Sequence, residues 1–107
     1  MNPVDTYIRA GTHSRQPKLP YTPGLDSAGE VTRVGEKVQN FKVGDRVFTT
    51  NSDTGTYAEY TLSNPMYTFK LPDNLSYEEG SAIGIPFFTA YRSLFLKFKQ
   101  LFYFLNL

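Results

Sequence analysis

The sequence has no cysteine, no tryptophan and a single histidine. Without cysteine there can be no disulfide, no thiolate zinc site and no cysteine nucleophile. Such a chain needs no oxidising compartment, which fits a cytoplasmic setting. One histidine, His13, has no second titratable group at a suggestive spacing, so it reads as a surface loop residue rather than an acid or base. No Gly-x-Gly-x-x-Gly run occurs anywhere, which removes the usual phosphate cradle of a dinucleotide-binding βαβ unit. The longest apolar-rich stretch, Leu94 to Leu107, is interrupted by Lys97, Lys99 and Gln100. It falls short of the roughly 20 apolar residues that span a bilayer, so no membrane partner is expected. Nor does charge of either sign accumulate. Eleven Lys and Arg against ten Asp and Glu leave a formal charge of +1, which gives a polyanion such as nucleic acid no bulk attraction.

Prolines dominate the first part of the chain. Pro3, Pro17, Pro20 and Pro23 forbid a long helix there and allow at most one short helical turn over Val4 to Arg9. From Ala28 the pattern alternates. Gly29 to Gly35, Val43 to Phe48, Gly55 to Leu62 and Met66 to Leu71 read as four short strands separated by turns. After Pro72 the spacing becomes helical. Ser76 and Glu79 form a capping-box pair, a helix follows through Ser81 or Ile83, and Pro86 suits the first turn of another. Phe87, Tyr91, Leu94, Phe98, Leu101 and Leu105 recur at helical spacing. The order predicts a mainly β chain with α: an antiparallel barrel or roll with C-terminal helices.

Gly24-Leu25-Asp26-Ser27-Ala28-Gly29, followed by Gly35, resembles the signature of the medium-chain dehydrogenases/reductases, Gly-His-Glu-x-x-Gly with a further Gly. In the zinc members the His ligates the metal. Here Leu25 stands at that position and cannot ligate, so the resemblance implies the zinc-free branch and no metal site. Asn2-Pro3-Val4-Asp5-Thr6-Tyr7-Ile8-Arg9 and Leu19-Pro20-Tyr21-Thr22-Pro23-Gly24 resemble the zeta-crystallin quinone oxidoreductases. Ala82 to Arg92 is similar to the helical segment that leads toward their cofactor domain. The resemblance implies a partial GroES-like β barrel over residues 1–95, with the Rossmann domain absent and a hydrophobic tail over 96–107 that departs from the family.

What the resemblance implies about chemistry follows from that family. NADPH reduces a quinone in a cleft between the two domains. Asn2 and Tyr7 are then the candidate catalytic residues, and Tyr7 and Thr89 the candidates for approaching the nicotinamide. An amide and a neutral phenol can both donate to an oxygen that gains negative charge. Asp26, in place of the signature Glu, reads as structural. The chain alone is expected to be inactive and to hold no cofactor tightly. It can self-associate or pair with full-length subunits. The competing reading is a non-catalytic interaction remnant or an RNA binder, and the balanced charge does not favour RNA.

Overall fold

A computed structural model describes residues 1–97 of the chain. The expectations for Phe98, Leu101 and Leu105, and for most of the 96–107 tail, lie outside the described residues. The first element, α1 (Pro3–Arg9), is a seven-residue helix, longer than the single turn predicted. Its start explains the difference. Pro3 occupies the first helical position, where its missing N–H costs nothing. The Asp5 carboxylate accepts the N–H of Asn2 at 2.8 Å, the carboxylate half of a capping box. Asp5 and Arg9 also sit at the ends that the helix dipole favours.

Three short antiparallel strands follow: β1 (Ser27–Glu30), β2 (Arg46–Thr49) and β3 (Thr68–Lys70), in the order β1-β2-β3. Ser27 faces Thr49 in the first ladder, and Phe48 faces Phe69 in the second. The ladder between β1 and β2 starts earlier than the sequence pattern suggests. It continues past β1 through Val31 N–H to Asp45 C=O and Gly44 N–H to Val31 C=O, both 2.9 Å. The strand expected over Gly55 to Leu62 is not formed. Its backbone has no neighbouring strand among the described residues. Side-chain bonds from Ser52, Thr54 and Thr61 fold it back on itself instead.

The longest described element is α2 (Tyr77–Tyr91), followed by a π-helical stretch over Arg92–Lys97. Ser76 and Glu79 close their capping box as expected, at 3.2 and 2.8 Å. The helix is broken at Gly84, whose ψ of −116° is not helical, and it restarts at Ile85-Pro86. Arg46 ties β2 to the entry of α2. Its guanidinium donates to the Pro72 and Leu75 carbonyls at 3.0 and 2.5 Å and lies over the Tyr77 ring.

Gly80 lets α2 lie close to the sheet: a Cβ there would stand 2.7 Å from Leu71 and 3.0 Å from Ala28. Phe48 then stacks on Phe69 and Phe88 meets Phe69 at a tilt, with ring centroids 5.3 and 5.6 Å apart. The buried apolar side chains among the described residues are few: Ile8, Val47, Phe48 and Leu71. The accessible surface is 8483 Å², against about 6,000 Å² for a compact monomer of this mass. Among the described residues no helix is long and apolar enough to cross a membrane.

Candidate functional site

The sequence candidates fall on two elements. Asn2 caps α1 and is buried, whereas Tyr7, on the same helix, is 55% exposed. Thr89 is exposed on the second half of α2. Asn2 and the second half of α2 are brought together by a residue that the sequence reading set aside. The Asp26 carboxylate accepts the Asn2 side-chain amide at 2.8 Å and the Ile85 backbone N–H at 2.9 Å, both on Oδ2. Thr89 lies four residues beyond Ile85, about one helical turn. Tyr7 joins neither bond. Its phenol makes no hydrogen bond among the described residues and is open to solvent, while its carbonyl accepts from Thr12.

A second carboxylate flanks Asn2 on its other side. Asp5 is 5% exposed and accepts the Asn2 N–H and, at 3.3 Å, the Tyr57 phenol. Burial raises the Tyr57 pKa first, and the Asp5 charge and hydrogen bond raise it further. The phenol therefore stays protonated through neutral pH and remains a donor. Tyr57, Asp5, Asn2, Asp26 and Ile85 thus form one chain of hydrogen bonds from the 55–62 segment, through α1, to α2. Asp5 Oδ1 and Asp26 Oδ1 are buried with no hydrogen-bond partner among the described residues. Sequence reasoning missed Asp5 and Tyr57. The Asn2-Pro3-Val4-Asp5 spacing, a cap followed by Pro and then a carboxylate, was the signal available for Asp5. Nothing in the sequence marks Tyr57 as its partner.

Beside this network, a cleft of about 640 Å³ runs between the 15–25 loop and the 52–55 turn, with Asp5, Tyr21 and Leu25 in its lining. Leu25 brings a hydrocarbon side chain to it. Among the described residues no group of three or more His, Asp or Glu side chains is placed to hold a metal ion.

A sheet entered through this glycine signature, with a capped α1 before it and a broken helix after it, defines a class. The chain belongs to the alcohol dehydrogenase GroES-like domain family, whose match covers residues 1–73. Within that class it is similar to quinone oxidoreductases. It is 61% identical over 94 residues to the quinone oxidoreductase of Lama guanicoe, covering 88% of this chain and 28% of that protein. It is 56% identical to the quinone oxidoreductase of Homo sapiens, with 88% and 29% covered. The quinone oxidoreductase of Escherichia coli, solved in complex with NADPH, superposes with a TM-score of 0.78 at 33% identity, over 89% of this chain and 29% of that one. The chain therefore spans less than a third of the length of these relatives.

Proposed function

We propose that this chain forms the substrate side of an NADPH-dependent, zinc-free quinone reductase, with residues 1–95 as its GroES-like unit and 96–107 as a tail outside the family pattern. The observation that carries the reading is the 61% identity to a quinone oxidoreductase over 94 residues. The side chain of Leu25 at the metal-ligating position of the signature supports the zinc-free assignment.

The fit to the cofactor is divided. At the nicotinamide end the chain offers two exposed hydroxyls, Tyr7 and Thr89, neither hydrogen-bonded among the described residues. At the phosphate end the sequence supplies no glycine loop. When bound, NADPH supplies a hydride. The chain's own part is to orient and to donate. The Tyr7 phenol donates to the quinone oxygen that becomes negative. Asn2 has one amide hydrogen committed to Asp26. Its other amide hydrogen can orient a ring. Thr89 approaches the nicotinamide from α2.

By itself the chain is inactive on this reading, as a fragment or shorter isoform of the reductase. If the phosphate-binding part contributes about 6 kcal/mol, a micromolar cofactor becomes one of roughly tens of millimolar. The exposed Phe87, Tyr91, Leu94 and Phe95 favour self-association or pairing with a full-length subunit. The cysteine-free composition suits the cytoplasm.

The test is to join residues 1–95 to the cofactor-binding part of the Escherichia coli quinone oxidoreductase and follow NADPH oxidation with a quinone. Quinone-dependent, saturable oxidation by the chimera, and none by the chain alone at submillimolar NADPH, is expected. A chimera that binds NADPH but transfers nothing to any quinone overturns the proposal.

A further inference from the structure

Asp26 has three properties that a mere strand-entry residue does not need. One of its oxygens accepts from two elements at once, α1 through the Asn2 amide and α2 through the Ile85 N–H, partners 24 and 59 residues away. Its other oxygen is buried with no partner among the described residues, a costly arrangement unless the first oxygen's bonds are worth keeping. It also lies where the helix breaks. A Cβ on Gly84 would stand 2.3 Å from Asp26 Oδ1 and 2.5 Å from its carboxyl carbon. Gly84 is therefore the cradle into which the carboxylate fits.

The break itself gives Asp26 its purchase. In an unbroken α2 the Ile85 N–H would bond within the helix. With Gly84 out of helical conformation, that N–H opens the second half of α2 and needs an outside acceptor. The next residue, Pro86, has no N–H to satisfy. One carboxylate oxygen thus answers the exposed donor of the restarted helix, and the positive end of the helix favours its charge. The same oxygen holds the Asn2 amide.

We infer that Asp26 is a positioning residue that joins the two helices carrying the candidate site residues. Through a single carboxylate oxygen it locks Asn2 on α1 to the restarted half of α2 that carries Thr89, with Gly84 as the matching recess. The positioning role in quinone reduction rests on the function proposed above, whereas the lock itself does not. Asp26→Asn keeps a carbonyl oxygen that can accept both bonds. Asp26→Leu removes the acceptor while keeping the branched shape of the side chain, with bulkier methyl ends. Gly84→Ala pushes the carboxylate out while leaving Asp26 in place.

Amide hydrogen exchange of the 107-residue chain, with NMR of the Asn2 side-chain amide, reads the lock directly. In Asp26→Leu and in Gly84→Ala, Ile85 exchange accelerates about ten- to a hundredfold, the ratio that a hydrogen bond to a charged group is worth. The Asn2 amide resonances shift in the same variants, and Asp26→Asn restores both signals. Should Asp26→Leu fail to fold, Gly84→Ala carries the comparison. Unchanged Ile85 exchange and an unmoved Asn2 amide in either folded variant overturn the lock. So does an Asp26→Asn chain that behaves like Asp26→Leu. A second arm adds reduced nicotinamide mononucleotide at millimolar concentration and follows Thr89. Loss of its response in Asp26→Leu, with recovery in Asp26→Asn, supports the positioning role. If Thr89 of the wild type does not respond while the exchange pattern holds, the lock is supported and only the functional reading falls.

Discussion

Replacing Gly55 by alanine tests how the cleft wall is built, and Gly44→Ala is its internal control. Both glycines have positive φ, +87° and +89°. An alanine at either position therefore carries the left-handed backbone cost of about 1–2 kcal/mol. The surroundings differ. Nothing lies within 4 Å of a Cβ built on Gly44, whereas one on Gly55 would stand 1.9 Å from the Thr22 carbonyl oxygen and 2.9 Å from that of Pro23. These are backbone atoms and cannot swing away like a side-chain tip. The Pro23 carbonyl also accepts the N–H groups of Thr56 and Tyr57 at 2.9 and 3.0 Å. Moving the two segments apart puts both bonds at risk, at about 0.5–1.5 kcal/mol each. The expected loss is about 1–2 kcal/mol for Gly44→Ala and about 2–5 kcal/mol for Gly55→Ala. Urea unfolding followed by circular dichroism, in a stabilising osmolyte if the wild type is marginal, measures the difference. Equal unfolding midpoints for the two variants, with unchanged slopes, would refute the close-approach argument.

Other expectations concern charge, capping and association. Asp45 is held below its ordinary pKa by the hydrogen bond from Lys70 and then by the Lys42 N–H. Its contribution to stability is present above the unfolded-state value of about 4 and is lost as pH falls through the lower folded value. Unfolding midpoints recorded from pH 6 to pH 3 should drop more steeply for the wild type than for Lys70→Met, and parallel curves would count against this. Ser76→Ala removes the N-cap acceptor of α2 and should cost about 0.5–2 kcal/mol, read as a loss of helical signal at a lower urea concentration. Light scattering across concentration should show association through the exposed apolar side chains of α2 and the residues after it, whereas a strict monomer that unfolds cooperatively would contradict that expectation.

The parts of the fold legible in the sequence are those whose cause is local. Ser76 and Glu79 announce the start of α2 because a capping box needs only a spacing of three residues. Pro86 announces the restart for a similar reason, since it cannot supply an internal N–H. The same spacing is present at Asn2 and Asp5, but the density of prolines points to a single turn, and α1 runs longer. Strand limits and pairing were less legible because they depend on the partner. Gly55 to Leu62 has strand-like residues yet forms no ladder, because no strand lies beside it among the described residues.

The site divides in the same way. Leu25 and the candidates Asn2, Tyr7 and Thr89 came from a resemblance carried by contiguous motifs. The hydrogen bonds of Asp26 join residues 24 and 59 positions apart. No spacing rule connects them, so Asp26 read as a structural substitute for a glutamate and its role as a hub did not show.

The central claim is that this chain presents the nicotinamide-facing wall of a reductase cleft. The most direct measurement is an NMR titration of the isotope-labelled chain with reduced nicotinamide mononucleotide, which lacks the adenosine half and so does not need a phosphate-binding domain to the same degree. Saturable shifts are expected at Asn2, Tyr7 and Thr89. Shifts confined to other residues, or none at tens of millimolar ligand in a folded chain, would contradict the account.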